Sequence, residues 1–527
     1  METVVNRTKR RRIREELDSV LYEVLYESDN VDENCTKNNT DFINIQNENT
    51  PVQLPNTSEI CPAKNKNISI QLDNIPETSI LDSTDNYSHC DSLLIPTRVP
   101  TADLCSEVKC RLAEWAVNFN VPQNTINGLL PIFKSIPGLS EMPIDSRTIL
   151  KTETTLERTQ DLKIIEPGFY YHFGLGSAIE QHFHHTDIGD TDVIKVVIGI
   201  DGLPLSKSSC SQFWPILGYI RPLQNLVFPI GIYWGHEKPK DSNEFLRDFV
   251  NEVNTLMRFG ININGTNKQV EIDGFSLDAP AKSFGTPDLI LVPDVLTHND
   301  YISRKHEEHH VGSEISILSE LPIDVTCLFG LDYMHLTCLG IMRKLIHLWI
   351  DKGPLNVRLP SLTTKKLSSS LLSLRCFIPC EFSRKPRGLC DLNRYKATEF
   401  RQILIYTGPI IFKNILNNDC YKHFMALNIA MTILLSNNMD NYLEYAQNLL
   451  NYFIQNFEPL YGRHLMSFNV HGLSHITDDY KKFGLLDNIA AFPFENYLKQ
   501  LKKMIRKHDK PLQQIIKRLN EKNSIGN

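Results

Sequence analysis

The chain has no stretch of about 18 uninterrupted apolar residues, and this argues against a membrane-spanning helix. Its N-terminus carries no apolar core behind the basic residues, so it does not read as a secretory signal. Twelve cysteines are present, but no Cys-x-x-Cys occurs anywhere and the spacing shows no disulfide framework. Scattered cysteines in a long chain predict reduced thiols and an intracellular setting. Aromatic residues are scarce between Ser28 and Leu104, where twelve acidic residues face four basic ones and twelve Asn accompany them. A segment so polar and acidic cannot bury enough apolar surface to fold, which predicts a disordered tether.

What is present is ordinary for a soluble globular protein: 41% hydrophobic and 22% charged residues over 527 positions. That length predicts two to four domains. The net charge of −7 says little about partners, because the acidic segment alone carries about −8, twelve negative charges less four positive, and the remainder is near neutral. Lys9-Arg10-Arg11-Arg12-Ile13-Arg14 opens a short helix reaching about Tyr26. Such a basic run reads either as a nuclear-import signal or phosphate-contacting arm, or as a solvated charged face. Residues 1–102 therefore form a basic start and an acidic linker.

Order resumes near Asp103. Val108, Leu112, Trp115, Ala116 and Phe119 have helical spacing, continued by Ile126, Leu129, Leu130, Ile132 and Phe133. This predicts a small helical domain over 103–150 with Trp115 in its core, and a connection over 148–168. In Val193–Ile200, seven of eight residues are apolar or Gly and six are Val or Ile. So continuous a run predicts a strand buried on both faces. Asp201 ends it, either as a residue opening a turn or as a carboxylate awaiting a metal. Strand-like runs follow at Phe213–Tyr219 and Leu226–Trp234. A helix capped by Asp241-Ser242 then runs to Gly260, and a fourth strand, Gln269–Leu277, delivers Asp278. If the first and fourth strands are neighbours, Asp201 and Asp278 meet at one sheet edge, as two-metal phosphoryl chemistry requires. The chain from 285 to 470 reads as mainly helical, with a strong helix opening at Leu331-Asp332-Tyr-Met-His335 and running to about Trp349.

Five blocks then occur in order: Ile200-Asp-Gly-Leu-Pro-Leu-Ser-Lys-Ser-Ser-Cys-Ser-Gln-Phe-Trp-Pro-Ile-Leu-Gly218, Leu277-Asp-Ala-Pro-Ala-Lys282, Leu331-Asp-Tyr-Met-His-Leu-Thr-Cys-Leu-Gly340, Lys396-Ala-Thr-Glu-Phe-Arg401 and Phe492-Pro-Phe-Glu-Asn496. Together they resemble the transposases of CACTA-type (En/Spm) DNA transposons in their animal form, over residues 105 to 520. That family is similar to the V(D)J recombinase catalytic core. The resemblance implies an α/β fold: a ribonuclease-H-like mixed sheet, its first part within 151–284, a helical insertion over 285–470, and completion over 471–527. It implies Mg²⁺ (or Mn²⁺) held by Asp201, Asp278 and Glu495, DNA cleavage and strand transfer, and double-stranded DNA at transposon ends as partner. It is compatible with a homo-oligomer, needs no membrane, and places the protein in the nucleus. Asp332, in an Asp-x-x-His pattern with His335, is a rival second acid, its other reading being a helix N-cap.

His471-Gly-Leu-Ser-His475 resembles half of the family's zinc site, whose other half is a Cys-x-x-Cys. That half is missing here, Cys376 and Cys380 are a poor substitute, and the zinc site reads as lost. Beyond Glu495 a cation row, Lys499, Lys502, Lys503, Arg506 and Lys507, lies on an amphipathic segment, and Arg384-Lys385-Pro386-Arg387 makes a second cluster. Both suit DNA phosphates, and both also suit plain solvated faces. The competing function is a decayed or host-adopted transposase that no longer cleaves and serves as a DNA-binding or protein-interaction module.

Overall fold

A computed structural model describes residues 101–152, 161–185, 192–206, 209–277, 299, 302–303, 315–324 and 327–526. The basic start, the acidic linker and Asp278 lie outside the described residues. Residues 99–527 cluster as one compact unit.

Two helices, α1 (Thr101–Asn118) and α2 (Gln123–Lys134), come first. They pack through Cys105, Leu112, Ala113, Ala116, Ile126 and Leu130, and Ile525 near the other end of the chain joins the same cluster. Trp115, expected in this core, is 40% exposed. The buried face of α1 is built from smaller side chains, and the indole lies tilted against Phe119 on the outer side.

The sheet contains β1 (Lys163–Ile165), β2 (Gly168–His172), β3 (Val193–Ile200), β4 (Leu203–Pro204), β5 (Gln212–Ile220), β6 (Phe228–Gly235), β7 (Ile261–Ile263), β8 (Thr266–Leu277) and β9 (Phe329–Leu331). Helix α3 (Leu175–His185) precedes β3, and α4 (Ser242–Phe259) joins β6 to β7. The order is β1-β2-β6-β5-β3-β8-β7, with β4 on β5 and β9 on β8. Strands β3, β8 and β9 run parallel, while β3/β5, β5/β6 and β6/β2 are antiparallel. The sheet thus starts earlier than expected, since β1 lies within the stretch read as a connection and β2 begins at its last residue. Strand β9 likewise falls within the span expected to be helical. Strands of three residues are too short to show a period of two.

Strand β3 is buried on both faces. Ile194, Val196, Ile198 and Ile200 pack with Phe245, Leu246, Phe249 and Val253 of α4. Val197 packs on the opposite side with Phe494, Tyr497, Leu498 and Leu501. These last residues belong to α11 (Phe492–Met504), described below. The Asp241 carboxylate caps α4, accepting from the Asn243 and Glu244 N–H groups, and Gly260 closes it at φ +71°.

The rest is helical. A continuous helix, α5, occupies 334–352 as a π-helical stretch Met334–Met342, a short α segment Arg343–His347 and a second π stretch Leu348–Lys352. There follow α6 (Ser361–Ser373), α7 (Ala397–Gln402), α8 (Asn418–Leu434), α9 (Leu443–Tyr461), α10 (Ile476–Phe483), α11 and α12 (Pro511–Gly526). Helix α8 is apolar nearly all round and buried accordingly, from Phe424 to Leu434.

Candidate active site

Register brings the parallel strand ends level. Gly199 of β3 pairs with Ser276 of β8, and Leu277 of β8 pairs with Leu331 of β9. Asp201 follows β3 and Asp332 follows β9, so both leave the same edge of the sheet. The backbone of Leu277, which precedes Asp278, lies between them.

The third acid comes from α11, and its seat depends on glycine. A Cβ at Gly199 would stand 2.6 Å from the Phe494 ring, closer than atoms tolerate. One at Gly274 of β8 would stand 2.7 Å from Ile489, and one at Gly330 of β9 3.0 Å from Ile489 and Phe483. Each of the three parallel strands thus offers bare backbone to the segment from Phe483, at the end of α10, to Phe494, in the first turn of α11. That segment is also tied by hydrogen bonds: Tyr219 Oη donates to the Asn488 carbonyl, and Arg221 donates to the Phe483 carbonyl at 3.0 Å. The neighbour of Phe494 is Glu495. Together with Asp201, His335 and Ser276 it lines one narrow cavity, about 10 Å³ in volume. That is room for about one water molecule or one bare ion. Within the cavity wall the Ser276 hydroxyl is buried without a hydrogen-bond partner among the described residues. Lys499, one turn along α11, stands 3.7 Å from Glu495 Oε2.

Asp332 does different work. Its side chain is 1% exposed. Oδ1 accepts the Met334 N–H and the Ala491 N–H, each at 3.0 Å. Oδ2 accepts the His335 N–H at 3.2 Å and meets His335 Nδ1 at 2.6 Å. Against a carboxylate, Nδ1 is the donor. Asp332 is thus the N-cap of α5, a clamp on the start of α11, and the group that fixes the His335 ring. His335, rather than Asp332, reaches the cavity wall.

A second tie lies behind it. Arg401 Nε donates to Tyr333 Oη at 2.9 Å, and its NH2 donates to Asp487 Oδ2 at 3.0 Å. Tyr333 Oη donates to Asp487 Oδ1 at 2.5 Å. Burial raises the Tyr333 pKa well above the ordinary phenol value, and Asp487 pushes it further, so this hydroxyl stays a donor. Arg401 belongs to the Lys396–Arg401 block, whose role sequence reasoning left open; it joins α7 to the segment that carries α11.

The donor set fits one hard divalent cation: two carboxylates and an unpartnered hydroxyl on a water-sized cavity. Among the described residues no group of three or more His, Cys, Asp or Glu forms a metal cage. A second ion would need the acid expected at Asp278. His471 and His475 stand ring to ring with centroids 5.3 Å apart, His471 being exposed on a short helix and His475 half-buried at the start of α10. Cys376 and Cys380 are exposed, and their thiols meet the Ser373 carbonyl and Glu381.

The expected DNA contacts divide. Arg387 is committed to Glu399, at 2.7 Å from each carboxylate oxygen, and to the Arg394 carbonyl. Lys385 is bent back on the Ile378 and Pro379 carbonyls. Lys502 donates to the Pro204 carbonyl at 2.6 Å, tying α11 to the turn after Asp201. Arg506 donates to the Asn120 and Val121 carbonyls at 2.8 and 2.9 Å. Arg384, Lys499, Lys503 and Lys507 are exposed. A local sequence window could not separate these groups, because the partners of Arg506 and Lys502 lie hundreds of residues away.

No protein-family model and no curated protein matches the chain.

Proposed function

We propose that the chain is a transposon-derived DNA transposase that nicks duplex DNA and transfers the strand end. The observation that carries this reading is the meeting of Asp201, from the end of β3, with Glu495, from α11, on one cavity. The strand order supports a ribonuclease-H-like core. Strands β3, β5 and β6 form an antiparallel meander, α4 follows, and β8 and β9 return parallel on the far side of β3. The five blocks of CACTA-like sequence point the same way, and the import-type basic run at Lys9–Arg14, outside the described residues, suits a nuclear protein.

Asp201 and Glu495 would hold a divalent ion, with Asp278 as the further ligand. When bound, such an ion activates the attacking oxygen and stabilises the leaving one. His335, its Nδ1 proton held by Asp332, is positioned to exchange a proton at the cavity wall. Lys499 balances Glu495 at the rim, where a phosphate would arrive. The short reach between Gly199 and Phe494 keeps Glu495 in place, and displacement by about 1 Å costs on the order of 100-fold in rate.

The test is nicking of supercoiled duplex DNA with and without Mg²⁺. Wild type is expected to nick only with the metal, and Asp201→Ala and Glu495→Gln to lose about a thousandfold or more. Equal behaviour of all three proteins would remove the enzymatic reading and leave a non-catalytic DNA-binding or protein-interaction module.

A further inference from the structure

Away from the acids, the α1–α2 turn faces α11 and α12 across a cleft of about 280 Å³. Four cations line it: Lys503, Arg506, Arg518 and Lys522. Glu521 is the one acid among its described lining residues, and it is already engaged. That carboxylate is 2% exposed and accepts from Gln123 at 3.3 Å, Thr152 at 2.5 Å and Arg518 at 2.6 Å. Among the described residues, the Arg506 guanidinium is held by the neutral carbonyls of Asn120 and Val121 and by no acid. Burial, and then the nearness of Arg518, lower its proton affinity. Among the described residues, neither Lys503 nor Lys522 forms an ion pair. With Arg518 paired to Glu521, Lys503, Arg506 and Lys522 share one concavity at Coulombic cost and lack a counter-charge among the described residues.

Position says what kind. Glu495, Lys499 and Lys503 are spaced i, i+4, i+8 along α11 and so share one face. Eight residues of helix rise about 12 Å. A DNA strand advances about 3.4 Å per phosphate along its axis. A strand whose reacting phosphodiester lies at Glu495 would therefore bring a phosphate some three nucleotides away to the cleft.

We infer that the cleft between the α1–α2 turn and the α11–α12 pair is a binding site for a backbone phosphate of a nucleic-acid strand, with Lys503 and Lys522 as its charged contacts and Arg506 and Arg518 as its fixed wall. The identity of the strand rests on the proposed function, whereas the binding does not depend on catalysis. In the row, Lys499 is the intermediate contact and Gln500 the residue between them that lines the cleft.

The test measures binding of a labelled short duplex by anisotropy across a salt series. The proteins are the full chain and its Lys503→Gln/Lys522→Gln and Lys503→Glu/Lys522→Glu forms. Lys365→Glu/Lys366→Glu on α6, exposed and with the same charge change, serves as control. The glutamine form should bind about tenfold or more weakly at low salt. Its slope of log affinity against log salt should fall by about 1, for the one backbone phosphate that the two lysines hold together. The glutamate form should bind more weakly still and the control as wild type, all four with unchanged melting temperatures. Wild-type binding by the glutamine and glutamate forms, or an equal loss in the control, overturns the inference. So does a result in which free tripolyphosphate binding depends on the two lysines and duplex binding does not. Loss of duplex binding in a protein that never nicks DNA supports the cleft and removes only the catalytic reading.

Discussion

The two faces of the sheet are covered by different means. On one, α4 lays five large apolar residues, Phe245, Leu246, Phe249, Val250 and Val253, into the side chains of β3 and β8. Its polar anchor is Glu252, which accepts from the Leu175 and Gly176 N–H groups at 2.7 and 3.0 Å and meets His172 Nε2 at 2.8 Å. On the other face, a comparable apolar cluster is interrupted at three points where the sheet offers no side chain. Gly199, Gly274 and Gly330 let Phe494, Ile489 and Phe483 sit on bare backbone, and Asp332 clamps the start of α11. The first face is fastened by area, which tolerates adjustment. The second adds close approach to its apolar cluster, and at Gly199 that leaves no room for a methyl group beside the residue preceding Glu495.

That contrast can be broken at three points. Asp332→Ala has the largest expected effect. It strands four N–H donors in a buried place, and the loss should be about 3–5 kcal/mol, read as a fall in the denaturant midpoint. Nicking should fall with it even under conditions where the variant remains folded, since His335 and Ala491 lose their common anchor. Gly199→Ala comes next. Overpacking against Phe494 should cost about 1–3 kcal/mol, but the telling readout is activity, because α11 must shift to admit the methyl. A Gly199→Ala protein that nicks at the wild-type rate would show that the close approach does not position Glu495.

The smallest effect belongs to the first face and depends on pH. Burial works against the Glu252 carboxylate, but its hydrogen bonds from His172, Leu175 and Gly176 prevail and hold its pKa below the ordinary value for a glutamate. A carboxyl lowered on folding stabilises the native state above its unfolded pKa. That contribution is lost as pH falls from about 4.5 through the lowered folded value. Melting curves of wild type and Glu252→Gln should therefore differ near neutrality and converge in acid. A constant gap across that range would mean the carboxylate charge is not what anchors α3.

The same contrast explains what could be read from the sequence. The covering of the first face was legible: α4 announced itself by an Asp cap, a 3.6-residue apolar stripe and a closing Gly, and β3 by its unbroken Val/Ile run. The seat of α11 was not, because its signals are single glycines within strands, which in a linear reading only weaken a strand. Their reason lies in Phe494, Ile489 and Phe483, far along the chain. Asp332 could be read locally as a cap for α5, and it is one. Its bond to Ala491 N–H, 159 residues on, has no local trace. Arg506 and Arg387 looked like free cations because their carbonyl and carboxylate partners come from other elements, while Lys503 and Lys499 keep the exposure their composition suggested.

Phe494's contact with Gly199 also has a temporal side. The ribosome delivers β3 long before α11, so for most of synthesis the three-glycine face has nothing resting on it and Asp201 has no opposite carboxylate. The cavity is then complete only once α11 has been made, and is not a property of any early fragment. A chain interrupted between Phe483 and Phe492 would carry the whole sheet and the helices before it, yet lack Glu495 and so, on the proposed reading, the acid opposite Asp201.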